Sequence, residues 1–314
     1  MAREQGANAR LAVAFESTYG TAPASGFRSM PFASTTLGQE QPLLANDLLG
    51  NGRDPVAPTR DAITADGNVI VPVDAENLGV WLRGAFGAPV TTGAGPYDHE
   101  FRSGAATLPS LSIEKWLPGV PMSEMFTGCV VDTLSWTMQR AGLLTMTVGL
   151  VAQGRTKSAS AQSGTLASAY NLVRFGHFNG SIARDGSALG NVESASITYS
   201  NNLDRIETIR SDGRIDGADP TVAALSGEIT VRFANTTLLD QAIDGEPCEL
   251  VFTHALAGGE EFVFTAHAVY LPTPRIPIEG PGGIRATFAW QAAKHTSPAR
   301  MCTAVLTNDV ASYA

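Results

Sequence analysis

Apolar and polar positions alternate with period two along much of this chain, the spacing of strands that bury one face. Over residues 130–139, Val130, Leu134, Trp136 and Met138 fall on one side, and Thr133, Ser135, Thr137 and Gln139 on the other. Residues 143–151 repeat the pattern, with Leu144, Met146, Val148 and Leu150 opposite Thr145 and Thr147. Ser194, Ser196, Thr198 and Ser200 form another hydroxyl face, opposite Ala195, Ile197 and Tyr199. Glu228, Thr230 and Arg232 oppose Ile229, Val231 and Phe233. Residues 250–255 and 261–268 flank Gly258-Gly259 and predict a hairpin. Residues 1–26 read as an irregular arm with one apolar patch at 11–15, and strand signals begin near Phe27.

Two segments switch to helical spacing. Leu78, Trp81, Leu82 and Ala85 predict a helix over 75–86, with Asp74 as N-cap and Gly87 as terminator. Leu238, Leu239, Ala242 and Ile243 predict a second over 236–243, between Asn235 and Gly245. Each helix follows a strand led by a glycine, and each glycine follows a Gly-Arg turn. Gly52-Arg53, Gly67, Val69/Val71/Val73 and Leu78 parallel Gly213-Arg214, Gly227, Ile229/Val231/Phe233 and Leu238. Gly67 and Gly227 are 160 positions apart, as are Leu78 and Leu238. Downstream, residues 111–116 match 250–254, and Ala141-Gly142-Leu143 matches Gly282-Gly283-Ile284. The first copy is longer around 88–127 and the second around 272–282. The pattern reads as an internal duplication.

Composition narrows the class. Hydrophobic residues make up 44% and charged residues 16% of 314 positions, with 32 Gly and 18 Pro. This suits many short strands joined by turns and excludes a disordered chain. The net charge is −9 and there is no Lys/Arg cluster, so a phosphate-gripping nucleic-acid binder is excluded. The acidity is uneven: residues 27–157 hold 9 Lys/Arg and 12 Asp/Glu, residues 175–296 hold 8 and 15. Cys129, Cys248 and Cys302 are odd in number and widely spaced, which predicts neither a disulfide framework nor a zinc site. No signal peptide is expected at the N-terminus, and no run is long enough for a membrane span.

Candidate chemistry is sparse. His99, His177, His254, His267 and His295 lie in no HExxH or HxH arrangement. His254 and His267 fall on neighbouring strands of the predicted hairpin, but in different rows. Asp212, Asp216 and Asp219 are closely spaced yet lack the alternation and closing Glu of a calcium loop, and read as a solvated loop. There is no GxSxG elbow or P-loop. Trp81, Trp136 and Trp290 sit on apolar faces and are expected in cores; Trp116 ends a strand before Pro118. No catalytic, cofactor-binding or metal-ligating residue is assigned, no cofactor is expected, and the chain reads as a non-enzyme.

The arm segment Glu16-Ser17-Thr18-Tyr19-Gly20-Thr21-Ala22-Pro23 resembles the opening of major tail tube proteins of long-tailed, siphovirus-like bacteriophages. So do the glycine-led strand Gly227-Glu228-Ile229-Thr230-Val231-Arg232-Phe233, running into Leu238-Leu239, and the stretch from Pro281 through Gly282-Gly283-Ile284-Arg285-Ala286-Thr287 to Phe288. The resemblance spans nearly the whole chain and implies a mainly β fold: two tandem tail-tube-like β-sandwich or barrel domains, each with a short flanking α-helix. The expected division is an arm at 1–26, a first domain at 27–157, a Ser/Ala-rich linker at 158–174, a second domain at 175–296 and a tail at 297–314. The implied role is a structural subunit of stacked rings around a lumen that conducts the genome into the host. Two domains per chain imply trimeric rings with pseudo-sixfold symmetry. Implied partners are other copies of itself, the tape measure, tail-tip and terminator proteins, and duplex DNA passing through the lumen, with no membrane. The implied location is the virion tail, after synthesis in the bacterial cytoplasm. The second copy is expected to supply more of the lumen's negative charge. Two alternatives remain open: a tail-terminator, tail-tip or baseplate protein of the same fold, and a carbohydrate-binding β-sandwich adhesin, which would need exposed clustered aromatics.

Overall fold

A computed structural model describes residues 3–50, 52–278 and 280–313; Met1 and Ala2 of the expected arm, Asn51, Glu279 and Ala314 lie outside the described residues. Strands β1 (Arg10–Phe15), β2 (Arg28–Met30), β3 (Ser34–Thr35), β4 (Gly38–Glu40), β5 (Leu43–Leu44), β6 (Thr59–Arg60) and β7 (Thr64–Pro72) precede helix α1 (Leu78–Phe86). Then come β8 (Val90–Gly93), β9 (Tyr97–Arg102), β10 (Leu111–Leu117), β11 (Met122–Gln139), β12 (Thr145–Ala152) and β13 (Gly154–Ser158). The chain continues through β14 (Gly180–Arg184), β15 (Ser187–Ala188), β16 (Val192–Ser200), β17 (Leu203–Ile206), β18 (Gly217–Pro220) and β19 (Ala224–Arg232) to helix α2 (Thr237–Asp244). It ends with β20 (Cys248–Ala255), β21 (Glu261–Tyr270), β22 (Arg285–Ala292) and β23 (Cys302–Asn308). The protein is mainly β.

One antiparallel sheet runs the length of the molecule in the order β3/β4–β7–β12–β11–β16–β19–β22. A second layer backs its first part, in the order β2–β1–β10–β11–β13. A third group, β14–β20–β21–β23–β9–β8, backs the rest. β11 belongs to both layers of the first part, because its 18 residues leave one sheet and enter the other. The core lies between the layers: Phe252 stacks on Trp290, and Trp136 meets Phe264 edge-on with ring centroids 4.9 Å apart.

The two parts share hydrogen-bond registers. Gly67 faces Leu150 across β7 and β12, as Gly227 faces Trp290 across β19 and β22. The Val73 amide donates to the Leu144 carbonyl at 3.1 Å, and the Phe233 amide to the Ile284 carbonyl at 3.0 Å. Ser34 faces Ile70, and Ser194 faces Thr230. A bulge falls between Leu111 and Ile113, and another between Cys248 and Leu250. By register Leu111 aligns with Cys248 rather than Leu250, and Gly142 rather than Ala141 with Gly282. The sequence match slipped because loops of unequal length separate these strands.

Several local expectations change. β1 is a strand within the expected irregular arm; its Leu11 and Val13 enter the main core while Ala12 and Ala14 pack with Phe27 and Met125. With both faces covered it shows no alternation. α1 starts at Leu78 with Asn77 as N-cap, and Asp74 instead holds the preceding turn by accepting from the Glu76 and Asn77 amides at 3.0 and 2.7 Å. α2 has Thr236 rather than Asn235 at its N-cap, and Gly245 ends it in the left-handed region that only glycine enters cheaply. Residues 158–174 form no strand after Ser158 but are tied down: the Glu114 carboxylate accepts from the amides of Gln162 and Ser163. β23 pairs with β21 and with β9, some 200 positions earlier in the chain, and Tyr313 packs so closely on α1 that a Cβ on Gly79 would meet its ring at 2.2 Å.

His254 is fully buried, with its ring parallel to Phe262 and Phe175 on another side, and neither nitrogen has a hydrogen-bond partner. Burial pushes its pKa down to about 4. The unfolded chain takes up a proton near pH 6.5 that the folded chain refuses, so this contribution to stability is whole at neutral pH and is lost as pH falls from about 6.5 to about 4. The loss amounts to about 3 kcal/mol. His254→Phe fits the aromatic site and removes the titration. Denaturant unfolding of the variant at pH 7 and pH 4 is expected to show a smaller acid-induced loss by that amount, and an unchanged pH profile counts against this account.

Candidate functional surface

The long sheet carries the two hydroxyl faces that the alternation predicts, and the seam between β11 and β16 joins them. Thr133 lies opposite Ser200, Ser135 opposite Thr198, Thr137 opposite Ser196 and Gln139 opposite Ser194. The rows continue outward. Ser196 meets Glu228 and then Ala289; Thr198 meets Ser226 and then Gln291. Thr230 and Thr287 hydroxyls bond at 3.0 Å. On the other side Ser135 meets Thr147. Because side chains in a strand alternate between faces, this whole surface is turned away from the Trp136, Val148, Ile197, Ile229 and Phe288 core.

Charge on this face is nearly cancelled. Arg232 and Arg285 both grip Glu193, at 2.6 and 2.7 Å, and their hydrogen bonds, that of Arg232 foremost, hold its carboxyl below the usual carboxylate range. Asp66 pairs with Arg205 at 2.6 Å. Glu228 is left as an exposed acid. Such a surface offers hydroxyls that exchange hydrogen bonds with water, and the two arginines that β19 and β22 place on it are already held by Glu193.

Two arms leave the sheet between equivalent strands. One spans 41–63 and includes β5 and β6; the other spans 201–223 and includes β17 and β18. Their apolar tips are exposed, Leu49 at 97% and Ile209 at 107%. The second arm crosses to the first part: the Ile63 amide donates to the Gly213 carbonyl at 2.8 Å, and Arg214 reaches the Arg155 carbonyl. Asn201, at the root of that arm, is buried, and its amide donates to the carbonyls of Ala85 and Val131.

The arm motif has a structural role. Glu16 accepts from the Gly20 and Gly128 amides and from the hydroxyls of Ser110 and Ser112, at 2.6–2.9 Å. The histidines are dispersed. His99 bonds Thr91 and the Val310 carbonyl, His267 bonds Thr303 and Glu249, and His295 bonds the Ser297 backbone. His177 lies 3.4 Å from Gln139, and His254 faces Phe262 across the hairpin, in a different row from His267. Asp212 and Asp216 both clasp Arg210. Cys129, Cys248 and Cys302 are buried free thiols, and burial raises the pKa of each. Trp81, Trp136 and Trp290 are buried. Among the described residues no three metal-binding side chains gather, and no helix is long and apolar enough to cross a membrane. Sequence reasoning missed the seam itself, although the signal was present: 133–139 and 194–200 alternate hydroxyl and apolar positions in matching phase.

A family model described as phage tail tube protein matches residues 6–292. No curated protein matches the chain.

Proposed function

The chain belongs to the phage tail tube protein family, and from that premise we propose that it is the repeating subunit of the tube, assembling with copies of itself into stacked rings whose lumen conducts duplex DNA. The observation that carries this reading is the continuous hydroxyl face across β11 and β16. It suits the sliding of a polyanion, because Arg232 and Arg285 on it are already paired with Glu193. The neighbouring tape measure, tip and terminator proteins are the partners that such a tube meets at its ends and inside. The role is structural rather than enzymatic, in the virion tail after synthesis in the bacterial cytoplasm.

The shared registers support two tail-tube-like units per chain. Their repeated pairings run from β1 to β13 and from β14 to β23, wider than 27–157 and 175–296 because the arm and the tail each add a strand. Two units per chain make the ring a trimer with pseudo-sixfold symmetry. The exposed tips of the two arms serve contact between rings, since apolar tips on a soluble subunit favour coverage. The second unit carries more of the lumen's negative charge, in keeping with the 15 Asp/Glu against 8 Lys/Arg of residues 175–296.

Electron microscopy of the concentrated purified protein tests this. Stacked hollow rings, three chains each, with the hydroxyl face inward and the second unit more negative, are expected. Six chains per ring would refute the symmetry, and a ring whose first unit is the more negative refutes the charge assignment. One ring per virion rather than many favours the tail-terminator, tip or baseplate alternative.

A further inference from the structure

The long sheet ends in two halves of one seam. β11 lies between β12 and β16 from Thr133 onward, past a bulge at Asp132. Its counterpart β21 follows the same register, Val130 facing Val151 as Tyr270 faces Gln291, and then stops. Residues 271–278 form no strand, and the outer edge of β22 from Arg285 to Trp290 has no partner among the described residues. At the far end β3 and β4, the counterparts of β16, pair with β7 alone. Among the described residues no strand pairs with their outer edge; the Lys115 ammonium lies 3.2 Å from the Leu37 carbonyl, and the Arg155 amide donates to the Gln39 side chain.

We propose that residues 273–278 become a strand on assembly, inserted between β22 of their own chain and the β3/β4 edge of a second copy, in the register of the internal seam. This rests on the ring reading above. Carrying β11 and β16 onto their counterparts sets Thr273 opposite Glu40, Arg275 opposite Gly38, Ile276 opposite Leu37 and Ile278 opposite Thr35. The side chains suit these places. Ile276 and Ile278 take the core-facing positions of Trp136 and Met138, and Ile278 is 76% exposed in the free chain. Pro272 falls at the bulge, where proline is tolerated. Arg275 becomes the diagonal neighbour of Glu40 on the same face, and neither has a side-chain partner within the described chain. A cavity of about 650 Å³ bounded by Arg275, Pro277, Gly283, Arg285 and Thr287 now separates the segment from β22, leaving room for it to move in.

The prolines also explain why the edge stays closed before assembly. Pro274 and Pro277 each withhold a ladder donor, so the strand gains too little from β22 alone and forms only when a second edge is present. The free subunit thereby avoids indiscriminate edge pairing.

Paired cysteines test the register. Oxidised Glu40→Cys/Thr273→Cys protein is expected to give covalent chain-to-chain multimers on non-reducing electrophoresis, and Thr36→Cys/Thr273→Cys, four positions out of register, is expected to give none. Tubes by microscopy without the first disulfide, or with both disulfides equally, overturn the pairing and leave the tube reading standing. A wild-type protein that makes neither rings nor tubes overturns both. A charge exchange gives an independent readout: Arg275→Glu is expected to raise the concentration needed for tubes about threefold or more, and Glu40→Arg/Arg275→Glu to restore it. Indifference to both changes overturns the pairing.

Discussion

Gly227→Ala is expected to destabilise the free subunit by about 3 kcal/mol, near the upper end for an overpacked core. The cause is not backbone strain at Gly227 but lack of room. A Cβ there would lie 1.9 Å from the Ser196 carbonyl oxygen and 2.5 Å from Cζ2 of Trp290. The first contact is with backbone held in the β16·β19 ladder, and the second with a ring buried to 1%. Neither group can yield without breaking pairs on both sides of β19. Gly67 repeats the situation, with a Cβ set to meet Leu37 Cα and the Thr36 carbonyl at 2.6 Å and a φ of 142° besides. Thr36 and Ser196 hold matching register positions, so each of these glycines marks where a neighbouring strand crosses at closest approach. Denaturant midpoints for the two alanine variants measure this; a loss below about 0.5 kcal/mol at Gly227 is incompatible with the packing described.

Trp136→Ala should cost about 4 kcal/mol. Trp136 is 4% exposed on the seam strand, and its ring reaches Phe262 and Phe264 of β21. Truncation opens a cavity where the two parts of the molecule meet, and forfeits the edge-on contact as well as buried area. Its Nε1 is buried without a partner, so Trp136→Phe removes an unsatisfied donor while keeping a ring. The phenylalanine variant is therefore expected to lose less than about 2 kcal/mol. Equal losses for the two substitutions would show that the ring's contacts do not hold the seam.

Much of the fold was legible where one face of an element is wet. The alternation of β11, β12, β16 and β19 appears in the structure as read, as do the glycine ends of both helices and the Gly258-Gly259 hairpin. β1 was not legible, because it is covered on both faces and its apolar run has no period. The pairing of β9 with β23 was illegible for another reason: the two strands lie far apart in sequence, and no local pattern encodes which edge meets which. The hydroxyl surface was visible as two separate faces. Only the register of the seam joins them, and the different ends of β11 and β21 lie in long-range pairings that the sequence does not display. What the histidines and aspartates do, such as His254 filling an aromatic site or Asp212 and Asp216 clasping Arg210, depends on neighbours that the sequence does not place side by side.

The pairing of β9 with β23 sets an order on the birth of the molecule. At 5–20 residues per second, the roughly 200 residues between these strands keep the Tyr97–Arg102 edge waiting for about 10–40 s on the ribosome before its partner emerges. The first part cannot close by itself in that interval, since Tyr313 has yet to settle on α1. Each nascent chain thus carries an open strand edge for much of its synthesis, a template on which a neighbouring nascent chain can pair.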